Sequence, residues 1–322
     1  MTMLERVRQL IRAIQSIPGS FHYQIDVHDR QLMLMGRQSS WMLQQRRDLH
    51  DLAAAEFRVF SQWGEDGIIE WLIQNLPIKE TTFVEFGVEN YMEANTRFLI
   101  QNRNWRGLIL DGNAAHMDYV RSTPLYWKHD LTAACAFVTR ENINEVLKDN
   151  GFSGKVGLLS VDIDGNDYWV AEAIDVIDPA ILIMEYNPVF GDMVPVTVPY
   201  DAGFSRFNAH YSGMYFGASI GAVRELAERK GYRFVGTCSN GINAFFVREE
   251  LFAHIEPKLK SLKAYPSRHR DSRDQHGNLS YAAGEDRLAL IDDMPVVCVA
   301  DGQQRLLRDL GPLYSESWLA DM

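Results

Sequence analysis

The sequence has few cysteines, no long apolar run and a deficit of positive charge, and each shortage excludes a class of protein. Its 322 residues include only Cys135, Cys238 and Cys298, far apart and at no metal-binding spacing, which excludes a disulfide framework and a zinc knuckle. Reduced thiols are typical of the cytoplasm, and we expect a cytoplasmic protein. Because no apolar run approaches the roughly 20 residues that span a bilayer, and residues 1–20 lack a secretory apolar core, we expect no stable membrane insertion.

The balance of charge argues against a nucleic-acid partner. The chain has 32 Lys and Arg against 43 Asp and Glu, a net charge of −11, and such a surface repels phosphate backbones. The expected partner is instead a small molecule or a saccharide. The length suits one large domain with additions, or two domains, because domains commonly have about 100–200 residues.

Short apolar runs alternate with helical stretches along the middle of the chain, which is typical of β-α-β units and a mainly parallel α/β sheet. The predicted strands are 82–86, 107–111, 125–129, 156–162, 180–185, 232–237 and 243–248. Asn240-Gly241 between the last two predicts a tight antiparallel hairpin. The predicted helices include 95–102, 114–120, 139–149, 167–175 and 218–230.

Three segments follow from these patterns: a helical arm over 1–57, a ligand-binding domain over 58–250, and an extension over 251–322. Apolar residues at helical spacing from Leu4 to Ile14, and a second helical stretch over about 29–57, suggest that the arm forms a homo-oligomer. In the extension, the basic stretch from Arg268 to His276 is either an exposed loop or a lid over the substrate site.

The first two strands end in residues that suit a nucleoside ligand. In open α/β sheets, ligands bind at the carboxyl ends of the strands. A single glycine after the first strand and an acid after the second fit a ribose, but the turn lacks the further glycines of a pyrophosphate loop. Nearby carboxylates disfavour NAD and favour a positively charged nucleoside such as S-adenosylmethionine. The predicted cofactor-binding residues are Glu85, Gly87, Glu89, Asp111, Gly112, Asn113 and, after the third predicted strand, Asp130.

Acidic side chains also follow the next two strands. Asp162 and Asp164 end one strand and face the same way if it persists, while Glu185 and Asn187 end the next. Carboxylate and amide oxygens are the ligands that Mg²⁺ and Mn²⁺ prefer. These four residues are therefore the predicted ligands of a divalent cation.

Catalysis at such a site needs a group that accepts a proton. Of the two histidines near predicted strand ends, His129 and His210, we expect His210 to be the base, since it follows the Glu185 strand. Asp164 would hold the acceptor hydroxyl beside it. Each histidine has a structural alternative as an ordinary hydrogen-bonded side chain.

Four stretches in this order resemble the FkbM-type methyltransferases, a branch of the class I S-adenosylmethionine-dependent methyltransferases. They are residues 83–88, 107–111, 159–165 and 183–187, and the closing hairpin with residues 241–247 also fits. The resemblance implies a Rossmann-like sheet of seven strands, S-adenosylmethionine as donor, and O-methylation of a hydroxyl on a saccharide or related natural product. A metal-assisted O-methyltransferase is thus our first hypothesis.

Two other functions stay open at this point. Asp162-Ile163-Asp164 is an Asp-x-Asp at a strand end, which a metal-dependent glycosyltransferase would use to hold a nucleotide-linked sugar. A non-catalytic scaffold that keeps the fold is the third reading, because a fold does not fix a function.

Overall fold

The structure is a computed structural model that describes residues 27–322. Its helices are α1 (27–44), α2 (Glu65–Asn75), α3 (Arg97–Arg103), α4 (Ala114–Ser122), α5 (Pro124–Lys128), α6 (Ile143–Asp149), α7 (Asp167–Ala173), α8 (Arg206–Ala209), α9 (Ile220–Arg229), α10 (Glu249–Phe252), α11 (Asp286–Ala289) and α12 (Glu316–Asp321). Its strands are β1 (Thr82–Phe86), β2 (Arg106–Asp111), β3 (Leu131–Cys135), β4 (Gly154–Val161), β5 (Ile177–Glu185), β6 (Val196–Thr197), β7 (Tyr232–Thr237), β8 (Asn243–Arg248), β9 (Pro295–Cys298) and β10 (Gln304–Leu306).

Within residues 27–322, seven strands form one sheet in the order β3-β2-β1-β4-β5-β8-β7. The first five are parallel to one another, whereas β8 is antiparallel to both β5 and β7. The chain order reverses between β1 and β4, so the topological switch point, where such sheets bind ligands, lies at their carboxyl ends. The predicted fold class, a mainly parallel Rossmann-like sheet closed by an antiparallel hairpin, is confirmed.

The strands follow the apolar runs because buried parallel strands are apolar on both faces. In β4 the last six residues are all buried, and β8 is buried over five of its six residues. The predicted strand over 125–129 is wrong. Pro124 opens helix α5 there, at the first helical position where its missing N–H costs nothing, and β3 begins later, at Leu131.

The predicted helix over 29–57 is shorter in the structure. Helix α1 ends at residue 44, and only a short 3-10 helix, Leu52–Ala55, follows before α2. The amphipathic stretch from Leu4 to Ile14 lies outside the described residues, and the oligomer that it suggested stays a prediction. In residues 27–322, no helix combines the length and the apolar character that crossing a membrane requires.

The segment after residue 250 packs against the main sheet. Its β9 and β10 form a small antiparallel sheet with β6, which comes from the middle of the chain. Ile291, Leu307 and Trp318 belong to the same buried apolar cluster as Val161 and Met184 of the central strands. Residues 264–290 are thereby held near the carboxyl edge of the sheet.

Candidate active site

A cavity of about 290 Å³ lies at the carboxyl ends of β1, β4 and β5. Its walls come from the loops after these strands, from the segment 206–216 and from the C-terminal residues 267–287. The charged wall residues are Glu85, Glu89, Glu93, Asp162, Asp164, Glu185, Arg206, Asp271 and Arg287, and His269 lies among them. Acids outnumber arginines, so the cavity suits a ligand with positive charge.

Glu85, the acid before the glycine turn, is buried and is hydrogen-bonded to the backbone just before helix α3. Its carboxylate accepts hydrogen bonds from the backbone N–H groups of Asn95 (2.8 Å) and Thr96 (3.0 Å), and from the Thr96 hydroxyl. Burial raises the pKa of Glu85 to about 7, and these hydrogen bonds oppose the rise. The carboxyl thus fixes the start of α3 at one wall of the cavity.

Gly87 is required by the geometry of the turn. Its φ is +71°, and a Cβ at this position would collide with the carbonyl oxygen of Asp162, at the end of β4. The loops after β1 and β4 therefore cross at close contact. Only glycine permits this approach, which brings the first strand end next to the acidic one.

Asp111 ties the loop after β1 to the end of β2. One carboxylate oxygen accepts from the Glu89 backbone N–H at 2.9 Å, and the other accepts from the Asn113 backbone N–H at 2.7 Å. His116 Nδ1 lies 3.3 Å from the second oxygen. Since each carboxylate oxygen accepts two hydrogen bonds, capacity remains for a further donor such as a ribose hydroxyl.

The other predicted cofactor residues fall into two groups. Gly112 and Asn113 are exposed beside Asp111, and the Asn113 side chain caps α4 by accepting from the Ala115 N–H. Asp130 precedes β3, so it lies at the amino edge of the sheet, where its carboxylate is 3.9 Å from Arg106 at the start of β2. The structure does not bring Asp130 to the site.

Three of the four predicted metal ligands converge. Asp162, Asp164 and Glu185 each offer a carboxylate oxygen, and these oxygens lie within 4.8 Å of one another. Glu185 is only 7% exposed, and its buried Oε2 has no hydrogen-bond partner in the part of the chain that the structure describes. β4 ends at Val161, so the strand does not persist through Asp162 and Asp164 as the shared face required; Asp164 lies in the loop after β4 with a left-handed backbone, φ +55°.

The close approach of these acids is costly without a positive charge. Burial and mutual repulsion raise the pKa values of both Asp162 and Glu185 well above the usual range for carboxyls. Arg206 supplies part of the compensation, with Nη1 at 2.8 Å from Asp164 Oδ1 and Nη2 at 3.6 Å from Asp271. The arrangement therefore holds either a shared proton or an added cation.

The side chains of Asn187 and Asp167 form hydrogen bonds with backbone groups. The Asn187 amide donates to the carbonyls of Met214 (2.8 Å) and Phe216 (2.9 Å), and its oxygen accepts from the Val189 N–H. Asn187 lines the cavity but is not among the converging ligands. The Asp167 carboxylate accepts from two N–H groups of the turn before α7, and burial raises its pKa to about 6.

The predicted base does not line the cavity, which its segment of the chain reaches through Arg206, Met214 and Phe216. His210 is not one of the cavity wall residues within 27–322; its Nδ1 lies 2.8 Å from the Ser212 hydroxyl, and its ring packs on Tyr211. The histidine in the wall is His269, which sequence reasoning placed only in a basic stretch. Its position depends on how the segment after β8 folds back, and no local pattern shows that.

Within the basic stretch, His269 and Asp271 line the cavity, whereas Arg268, Arg270 and Arg273 do not. Arg268 donates to the backbone carbonyl of Asp321, and Arg270 donates to that of Tyr281, both at exposed positions. Arg287, by contrast, is 2% exposed, lines the cavity and donates to the carbonyls of Ser267 (2.6 Å) and His269 (3.4 Å). Its hydrogen bonds hold residues 267–269 in place as part of the cavity wall.

A larger groove of about 810 Å³ lies between α1 and α4. Its walls include Met33, Leu34, Met92 and Tyr119, and it is more apolar than the cavity at the strand ends. It contains none of the converging carboxylates. We therefore place the chemistry in the smaller cavity, where ionisable groups converge.

No protein-family model matches the chain, and a search of curated proteins finds no match either. Among solved structures, the chain is similar to an S-adenosylmethionine-dependent methyltransferase from Clostridium acetobutylicum ATCC 824, with 10% identity, a TM-score of 0.37, and coverage of 57% of this chain and 90% of that one. It is also similar to the N-terminal domain of EvdMO1 with S-adenosylhomocysteine (SAH) bound, with 10% identity, a TM-score of 0.38, and coverage of 66% and 93%.

A third similar structure is an O-methyltransferase from Bacillus cereus in complex with SAH, with 13% identity, a TM-score of 0.33, and coverage of 54% of this chain and 74% of that one. Likeness at this level assigns no role to any residue of this chain. The function has to be argued from the residues of the cavity.

Proposed function

We propose that the protein is an S-adenosylmethionine-dependent O-methyltransferase of the FkbM type that acts on a hydroxyl of a saccharide or related natural product. The observation that carries the proposal is the acidic cavity at the switch point, next to a single-glycine turn that is hydrogen-bonded to Asp111. A sulfonium donor is cationic, and its nucleoside needs a carboxylate for the ribose, whereas a dinucleotide would bring two phosphates to these acids.

The donor would lie across the carboxyl ends of β1 and β2. Its ribose would bind Asp111 beside the exposed Gly112 and Asn113, and its methionine end would lie by Glu85 and Gly87. The 290 Å³ cavity is at the small end of the range for ligand sites. It therefore suits the methionine end together with the acceptor, with the adenosine over the open edge.

The acceptor hydroxyl would lie at Asp162, Asp164 and Glu185. These residues fit a hard divalent cation, because three oxygens converge and the buried Glu185 Oε2 has no partner within the described residues. Such a cation, when bound, lowers the pKa of a hydroxyl that it contacts. Arg206, held by Asp164 and Asp271, would orient the carboxylates from the other side.

A thermal-shift comparison separates this proposal from the glycosyltransferase hypothesis. A ligand that binds only the folded state at 100 times its Kd stabilises it by about 2.7 kcal/mol. S-adenosylmethionine and SAH are expected to raise the Tm, and UDP-glucose with Mg²⁺ and NAD are not. A shift with UDP-glucose alone would favour the Asp-x-Asp glycosyltransferase, and no shift with any ligand would favour a scaffold.

The metal proposal is tested through the release of labelled product from [methyl-¹⁴C]S-adenosylmethionine with a panel of monosaccharides and methyl glycosides. Removal of divalent cations with EDTA is expected to abolish transfer, and Mg²⁺ or Mn²⁺ to restore it. Glu185→Gln should need more metal for half-maximal activity, while Glu228→Gln, on the exposed face of α9, should not. Full activity in EDTA would refute the metal assignment.

A further inference from the structure

One histidine stands in the cavity wall with a nitrogen that the fold leaves unused. His269 lines the cavity, and its buried Nε2 has no hydrogen-bond partner among residues 27–322. A buried polar atom without a partner costs free energy, because folding removes its hydrogen bond to water. Such an atom in a ligand cavity indicates that the ligand supplies the missing partner.

The surroundings hold this ring in place. The indole of Trp63 packs against it, with ring centroids 4.5 Å apart. The His269 backbone N–H donates to the Ser267 hydroxyl at 3.1 Å, and its carbonyl accepts from the buried Arg287. The ring is therefore positioned from one face and from its own backbone, as a group that acts on a bound substrate needs to be.

The charge state also suits a proton acceptor. Burial lowers the pKa of His269 below its ordinary value; Asp271 opposes this shift, and Arg287 and Arg206 add to it. The imidazole is thus neutral near pH 7. A neutral imidazole with a free nitrogen accepts a proton, whereas an imidazolium does not.

We propose that His269 is the general base of methyl transfer, an inference that rests on the proposed function. The acceptor O–H donates to Nε2. As the oxygen attacks the sulfonium methyl carbon, the carbon–sulfur bond breaks and its electron pair stays on sulfur, which leaves SAH. The hydroxyl proton moves to Nε2, and the resulting imidazolium returns it to solvent after product release.

The test is the single-turnover rate of methyl transfer to whichever saccharide of the panel reacts fastest with the wild-type protein. His269→Gln is expected to lower this rate by about 100-fold or more, the usual contribution of a positioned base. SAH affinity, measured by calorimetry, should stay within about threefold of wild type, because His269 lines the cavity and Asp111, the proposed ribose ligand, does not. His254→Gln, at an exposed position in the turn after α10, is the control with an unchanged rate.

The outcomes separate the two proposals. If the wild-type protein neither binds SAH nor transfers methyl groups, the proposed function is wrong and the base assignment fails with it. If the wild type transfers methyl groups and His269→Gln keeps its rate within about threefold, only the base assignment is wrong. Loss of rate in His210→Gln, with His269→Gln unaffected, would restore the base expected from the sequence.

A measurement on the unaltered chain covers the case in which the His269 variant does not fold. The wild-type single-turnover rate should be constant near pH 8 and should fall as the pH decreases below the ordinary imidazole pKa of about 6.5, because the imidazole becomes protonated. Asp271, Arg206 and Arg287 are the charged groups that shift this titration. A rate that stays constant down to the pH at which the protein unfolds would overturn the assignment.

Discussion

Removal of the Asp111 carboxylate should weaken donor binding more than any effect on the fold accounts for. In Asp111→Ala, the ribose loses hydrogen bonds to a charged group, which contribute about 1.5–3 kcal/mol. That range corresponds to about a 10- to 150-fold rise in the Kd for SAH. The backbone N–H groups of Glu89 and Asn113 also lose their acceptor. The loop after β1 is then less well ordered for binding, so we expect an effect at the upper end of this range.

Calorimetric titration with SAH measures the effect, and the chain offers a matched control. Asp130→Ala removes the same charge from the amino edge of the sheet, where the side chain is 73% exposed and lies 3.9 Å from Arg106. Its SAH affinity should equal that of wild type. The SAH affinity of Asp111→Asn, which keeps one acceptor oxygen, should lie between those of wild type and Asp111→Ala. Equal affinities in wild type, Asp111→Ala and Asp130→Ala would refute the placement of the ribose.

Two further predictions concern stability. Because the pKa of Glu85 is raised to about 7, its protonation favours the folded state; this contribution is complete below about pH 4.5 and is lost as the pH rises through 7. Between pH 4.5 and 8, the free energy of unfolding in urea should fall by about 3 kcal/mol more for wild type than for Glu85→Gln. Parallel pH profiles of this free energy in the two proteins would contradict the burial argument. Gly87→Ala should destabilise the fold by several kcal/mol, since strain at φ +71° and a collision with Asp162 add together, whereas Gly154→Ala, at φ +72° with open space around it, should cost only about 1–2 kcal/mol. Equal losses in the two variants would show that the loops do not cross as closely as described.

The sequence was most informative where burial alone determines structure. β7 and β8 have the predicted bounds, and β1 does too, because a strand that is apolar on both faces differs from its surroundings. The predicted strand over 125–129 is wrong because a short apolar run such as Leu125, Tyr126 and Trp127 is compatible with a helix as well as with a strand. Pro124, at the first turn of α5, was the signal that favours a helix.

The site was predictable only where strand ends define it. Asp162, Asp164 and Glu185 converge as expected, since parallel strands end at one edge of the sheet. His269 lies in a long connection, and Arg206 and Arg287 lie on the short helices α8 and α11. The positions of all three depend on contacts with residues far along the chain. The basic stretch around residue 269 was visible in the sequence, but only the folded chain shows that His269, and not Arg268 or Arg270, lines the cavity.

A crystal structure of the protein with SAH would test the central claim most directly. We predict that the ribose hydroxyls contact Asp111, that the homocysteine end lies by Glu85 and Gly87, and that the sulfur faces the cavity formed by Asp162, Glu185 and His269. Absence of SAH from crystals soaked well above any measured Kd, or SAH bound in the apolar groove between α1 and α4, would contradict the proposed donor site.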